Sequence, residues 1–334
     1  MPKVSLIIPV YNVSKYLKRC IDSIASQTFT DYEAIFVNDG STDNSAQLCK
    51  KLIADYPKMR MVSKTNGGLS SARLYGFNEA EGQYVAFIDS DDYLEPKYIE
   101  SLYNGIIQNS ADMSICCYFL DNNSHKSLHL LSYDDNRRTI DKQDVFDDYI
   151  LPQLPDVYGK SRFIPSFMWL RMFNRELINK ELFVSERDVY QEDLVFSVRL
   201  FRGIRRIAIV NVPLYNYCVN QGSLTMKYRE NVWGMMTNLY NEILRNTKIF
   251  MCDELKYRLT GMILCAVHFA LYNASYLNYK SFKCLFNELI KKTEVKATLK
   301  YLNFFKLKRV YVIMVFMIVT KQPFLLYKFN QHKI

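Results

Sequence analysis

Four times in its first 120 residues the chain passes from an apolar run of strand length, through a polar cluster, into a stretch with helical spacing. The apolar runs are "VSLIIPV" at 4–10, "YEAIFVN" at 32–38, "MRMVS" at 59–63 and "QYVAFID" at 83–89; a fifth near 113–119 closes the series. Helical spacing shows at 16–27 (Leu17, Cys20, Ile21, Ile24), and the stretches at 43–56, 70–80 and 97–108 read as further helices. Ser41 or Asp43 can cap the second helix. Strands that are apolar almost throughout must be covered on both faces. The alternation therefore predicts an α/β fold with a mainly parallel sheet between helices. In such sheets ligands bind beyond the carboxyl ends of the strands. The polar clusters lie there: "YN", "NDGSTD", "TNGGLSSAR" and "DSDD".

Beyond the series the pattern changes. Residues 121–162, with "DDNRRT" and "LPQLPD", read as a polar connector. Helices are expected near 167–177 and 192–201 and a strand near 207–210, and everything past 228 reads as helices. A length of 334 residues suits two domains, and 49% hydrophobic residues supply a large core. The boundaries fall at 1–120, 121–225 and 226–334, the first two being halves of one α/β domain. Eight cysteines show no Cys-x-x-Cys and no zinc spacing, and no secretory pattern precedes the first strand. A reducing cytoplasm is expected, with the thiols buried as small hydrophobes.

Each cluster has a bland reading and a chemical one. Asp39 and Gly40 followed by Ser41, Thr42 and Asp43 make a turn and helix cap, or Asp39 is a carboxylate for a base or ribose. Arg73 near a helix start opposes the helix dipole, so it needs an anionic partner, either the Asp cluster or a phosphate. Asp89, Asp91 and Asp92 crowd three carboxylates at a strand end, which is costly unless a cation neutralises them. A divalent ion with oxygen ligands would do so and could hold a diphosphate; a solvated turn is the alternative. Glu192 and Asp193 open an amphipathic helix, as a dipole-favoured cap or as a base toward a hydroxyl.

Taken together, "VSLIIPVYN", "VNDGSTD", "NGGLSSAR", "FIDSDD", "EDLVF" and "PLYNYCVNQGSLT" resemble the family 2 glycosyltransferases of the GT-A fold. The likeness covers 3–119 and, less densely, 167–225. It implies a mixed, mainly parallel sheet sandwiched by helices, with a helical region after it. It implies that Pro9 and Tyr11 frame a nucleotide base, that Asp39 contacts the uracil or its ribose, and that Asp89 faces ribose and diphosphate. Asp91 would bind Mg2+ or Mn2+, Arg73 would lie near the phosphates or order the Asp loop, and Trp169 would sit near the sugar. Asp193 would deprotonate the acceptor hydroxyl while Glu192 orients the acceptor. The reaction implied is inverting transfer of a sugar from a nucleotide-diphosphate donor, a UDP-sugar, to a saccharide or lipid-linked acceptor in polysaccharide synthesis. Two positions depart from the pattern: Leu74 follows Arg73 where relatives often carry Asn, and Cys218 follows Tyr217 where many carry a base. A nucleotide-sugar-binding partner without turnover is the alternative function.

Of the net charge of +9, +8 belongs to residues 295–334, which contain eight bases and no acid, leaving about +1 for the rest. The tail's longest apolar run, 310–319, is half of the roughly 20 residues needed to span a bilayer. An interfacial helix on an anionic membrane is expected, at the inner face of the cell membrane, or else a basic helix packed on the protein's own core. No nucleic-acid module is recognisable, and the near-neutral remainder argues against that partner.

Overall fold

The computed structural model describes residues 1–122, 124–131, 133, 137–159, 163–220, 228–303 and 306–331. The expected alternation is present as β1 (Val4–Val10), α1 (Leu17–Ala25), β2 (Tyr32–Asp39), α2 (Ser45–Ile53), β3 (Met59–Lys64), α3 (Leu69–Glu79), β4 (Tyr84–Phe87), β5 (Tyr93–Leu94), α4 (Tyr98–Asn109) and β6 (Met113–Asp121). Then follow β7 (Lys126–His129), β8 (Thr139–Asp141), β9 (Arg171–Asn174), α5 (Glu192–Leu200) and β10 (Arg206–Cys218). The elements described after β10 are helices: α6 (Val232–Thr247), α7 (Asp253–Ala274), α8 (Tyr279–Leu289), α9 (Thr293–Tyr301), α10 (Arg309–Val319) and α11 (Pro323–Gln331).

One mixed sheet runs β3-β2-β1-β4-β9-β6-β10-β5, with β7 beside β6 and β8 beside β10. β1 is parallel to β2 and β4, setting Ile7 between Ile35 and Phe87. Every residue of β1 is buried, which is why its sequence shows no polar alternation. α3 packs on β1 and β2, and α4 on β6 and β10. A Cβ on Gly76 of α3 would come within 2.5 Å of Ile7, so a glycine allows this close approach. The chain divides into two compact units. Met1–Ile150, Ile164–Glu186 and Glu192–Ser223 form the sheet unit; Leu151–Phe163, Arg187–Gln191 and Leu224–Ile334 form the helical unit.

Four expectations need correction. The helix expected near 167–177 is a short 3-10 turn followed by β9, antiparallel to β4 and β6. Burial on both faces sets that choice, and it includes the guanidinium of Arg171, which donates to the carbonyls of Phe167 and Pro165 over the Tyr149 ring. The connector at 121–162 contributes β7, β8 and buried Leu131, Tyr133, Ile140, Val145 and Tyr149, so it is core as well as surface. The strand near 207–210 continues to Cys218 through register shifts at Pro213. Six cysteines are buried, but Cys252 and Cys284 are exposed. Among the described residues no helix is long and apolar enough to cross a membrane.

Candidate active site

β4 ends just before Asp89, α5 begins at Glu192 and Asp193, and α3 carries Arg73 one turn from its start. The fold brings these four side chains together. Arg73 is 2% exposed, and its NH1 donates to Asp193 at 2.7 Å and to Glu192 at 3.4 Å, while NH2 donates to Asp89 at 3.1 Å. Its anionic partner is thus the carboxylate cluster, supplied from two separate segments. Burial alone would lower the Arg73 pKa, but Asp193, Asp89 and Glu192 raise it, so the guanidinium stays charged. Asp193 also accepts from the Met168 amide at 3.1 Å.

The three strand-end aspartates have different surroundings. Asp92 is buried and accepts from Tyr215 OH at 2.8 Å and the Cys218 amide at 2.7 Å. Burial, then Asp91 and Asp89, raise its pKa well above the usual carboxylate range. Asp91 accepts from Asn220 at 3.1 Å, and its carbonyl accepts from Arg19. Burial pushes Asp89 up to about 6, with Arg73 opposing and Asp91 and Asp193 adding to the rise. Burial also pushes Glu192 up to about 8, reinforced by Asp193 against the pull of Arg73.

The glycine loop is held by carboxylates. Asp39, 3% exposed, accepts from the Gly67 amide at 3.0 Å, the Gly68 amide at 2.8 Å and Lys64 Nζ at 2.7 Å. Glu186 accepts from the next two amides, Leu69 at 2.9 Å and Ser70 at 3.1 Å. Four consecutive amides are therefore taken by two carboxylates. Gly68 has φ +92°, and a Cβ there would lie 2.0 Å from Glu186 Oε1. Neither Ser70 nor Ser71 caps α3; Glu186 does, from across the chain. At α2, Asp43 accepts from the Ser45 amide.

The remaining expected residues lie as follows. Pro9 is buried within β1, opposite Val37. Tyr11 follows the strand and is 48% exposed. Trp169 is 2% exposed, stacked on Tyr215 at 4.2 Å and Phe167 at 4.9 Å between ring centroids. The outer, half-buried members of that stack are Phe167 and Tyr217. Sequence reasoning did not single out Lys64, Glu186, Asn220, Arg19 or Tyr215. The one signal for Glu186 was negative: α3 starts at a glycine that brings no cap of its own. Residues 221–225 of "PLYNYCVNQGSLT" lie outside the described residues.

A divalent cation fits these side chains in one way. Asp89 and Asp91 offer hard carboxylate oxygens two residues apart, and Asp91 adds to the rise in the Asp89 pKa, as two carboxylates near one another do without a cation between them. No three His, Cys, Asp or Glu among the described residues form a self-sufficient metal cage. The chain would then supply one or two carboxylates and a bound diphosphate the rest, the usual arrangement for Mg2+. A cavity of about 670 Å3 opens elsewhere, against Lys3, Gly82 and Asn174, and the acidic cluster has no part in it.

The sequence matches the profile of Glycosyl transferase family 2 over residues 5–183. Glycosyltransferase GlyA of Streptococcus pneumoniae serotype 4 is 31% identical over 242 residues, 72% of this chain and 34% of that protein. Uncharacterized glycosyltransferase EpsJ of Bacillus subtilis is 32% identical over 226 residues, 67% of this chain and 63% of that protein. The chain thus spans about a third of the first and under two thirds of the second. Glycosyltransferase GlyG of Streptococcus pneumoniae is 30% identical over 234 residues, 69% of this chain and 75% of that protein. Among solved structures, S. aureus TarS 1–349 superposes with a TM-score of 0.64 at 18% identity, covering 99% of this chain and 90% of that one. That likeness establishes the fold.

Proposed function

The chain belongs to glycosyl transferase family 2, and on that footing we propose that it is an inverting, metal-dependent enzyme of polysaccharide synthesis. It moves a sugar from a UDP-sugar to a hydroxyl of a saccharide or lipid-linked saccharide. One observation carries the reading: Arg73 joins Asp89, on the expected donor side, to Glu192 and Asp193, on the expected acceptor side, through contacts of 2.7 to 3.4 Å. TarS has been crystallised with UDP and with UDP-GlcNAc, which supports a uridine donor. Residues 1–120 would bind donor, 121–225 would bind acceptor and supply the base, and 226–334 would form a helical region. The protein would work in the cytoplasm at the inner face of the cell membrane, where a lipid-linked acceptor resides.

In this mechanism Asp193 takes the acceptor hydroxyl proton. Each carboxylate oxygen offers two lone pairs, so the bonds to Arg73 and the Met168 amide leave room for that hydroxyl. The acceptor oxygen bonds the anomeric carbon as the bond to the diphosphate breaks, and the electron pair leaves with the diphosphate. Inversion follows from this single displacement. Glu192 orients the acceptor, Asp89 faces ribose and diphosphate, and Arg73 holds all three carboxylates in register. Asp39 holds the glycine loop while it faces the base, and Pro9, Tyr11 and Trp169 shape the base and sugar sites. Asp91 would hold Mg2+ or Mn2+, which would supply charge neutralisation for the leaving diphosphate.

The test is a panel of UDP-sugars with Mn2+, scored for hydrolysis and transfer to simple glycosides. Turnover of one donor is expected. Asp193→Asn should lose transfer and keep UDP binding, whereas Asp91→Asn should lose the metal-dependent part of both. Binding without turnover would assign the chain to the non-catalytic alternative, and no response to any nucleotide would overturn the reading.

A further inference from the structure

Within the helical unit, α10 and α11 form a hairpin with two contrasting sides. Met314, Val315, Ile318, Leu326 and Tyr327 face inward and are buried. On the other side Phe316 is 57% exposed, Val319 64%, Phe324 51% and Leu325 52%. These four large apolar side chains fall within ten residues, about the turn at Lys321, whose φ is +55°. Leaving such side chains in water forgoes the free energy that burial would provide. Exposed cations flank them in sequence: Lys306 and Lys308 before the hairpin, Arg309 at the start of α10, Lys321 at the turn and Lys328 in α11. No acid occurs from residue 295 onward.

Charge decides among the surfaces that could cover this face. A second copy would bring the same excess of eight bases against itself. A bilayer containing anionic lipids offers acyl chains to the aromatic and aliphatic side chains and phosphates to the lysines. α10 has 11 residues, about 16 Å of helix, which is too short to span about 30 Å of hydrocarbon. It is long enough to lie in the interface.

We propose that the α10–α11 hairpin is an interfacial membrane anchor, with Phe316, Val319, Phe324 and Leu325 inserted at the headgroup boundary and Arg309, Lys321 and Lys328 on lipid phosphates. The anchor deepens the reading of a lipid-linked acceptor and rests on that reading for its purpose only, since vesicle binding needs no turnover.

The experiment is co-sedimentation of the full chain with vesicles of phosphatidylcholine alone and of phosphatidylcholine and phosphatidylglycerol in equal parts. Binding is expected to the second and not the first, and to weaken as salt rises. Phe316→Ser with Phe324→Ser should weaken it tenfold or more. Lys321→Gln and Lys328→Gln should each weaken it about fivefold, the equivalent of about 1 kcal/mol per charge. All four positions are exposed, so UDP-sugar hydrolysis should be unchanged in these variants. Binding to anionic vesicles that is absent, or unaltered by the substitutions, overturns the anchor. So does a dimer in sedimentation velocity that the same substitutions abolish, which would give the face to a second copy. Vesicle binding without any turnover leaves the anchor standing and removes the proposed function; turnover without vesicle binding does the reverse.

Discussion

Removing Arg73 would leave Asp89, Glu192 and Asp193 facing one another without their shared counter-ion, a loss that costs about 3–5 kcal/mol in buried pairs. The same crowding makes Glu192 sensitive to pH. Burial and Asp193 push it up to about 8, so the folded protein holds a proton there that the unfolded chain has already lost above about 4.5. Where the folded state binds more protons, stability falls as pH rises. Glu192 should therefore cost stability progressively between about pH 4.5 and 8, by a few kcal/mol at most. Glu192→Gln removes that proton exchange. Urea midpoints from pH 5 to 9 should show the wild type losing ground to the variant as pH rises. Parallel curves would mean that Glu192 is not held protonated.

At the scale of elements, α3 depends on a cap that its own sequence does not contain. Glu186→Ala would strand the Leu69 and Ser70 amides and should cost about 1–2 kcal/mol. Gly68→Ala should cost about 1–3 kcal/mol, because φ is +92° and the new Cβ would displace the same carboxylate. Since both act on one contact, the double variant should cost clearly less than the two single losses together. Urea unfolding of the four proteins checks this, and additive losses would show that Glu186 and Gly68 act separately. The pair also marks where the sequence ceased to be readable. β1 to β4 and the helices α1, α2 and α4 were legible because buried strands and amphipathic helices carry distinct periods, and α3 because it fell in turn between two such strands. β9 was not: "MWLRMFN" has the spacing of a helix, and only its neighbours β4 and β6 make it a strand. Arg73's need for anionic partners could be read from its place near a helix start, but the choice of carboxylates over phosphate could not. Glu186 was illegible because its partners lie more than a hundred residues away.

Across the whole molecule, charge is sorted by place. The chain carries +9, yet at the site Asp89, Glu192 and Asp193 converge on the buried guanidinium of Arg73, and Asp91 lies two residues from Asp89. A nucleoside diphosphate is itself an anion, so it enters an anionic site favourably only with a cation between. Coupling of this kind is reciprocal: whatever factor a cation adds to nucleotide affinity, nucleotide adds to cation affinity. Isothermal titration of UDP with and without saturating Mn2+ should show at least a tenfold gain. Titration of Mn2+ with and without UDP should show the same factor. Asp91→Asn should shrink both gains equally while leaving the weak metal-free UDP binding in place. Melting temperature should follow, rising more with the two ligands together than the separate shifts would suggest. UDP affinity indifferent to Mn2+ would mean that the crowded aspartates serve the fold, as Asp92 does through Tyr215 and Cys218, rather than a diphosphate.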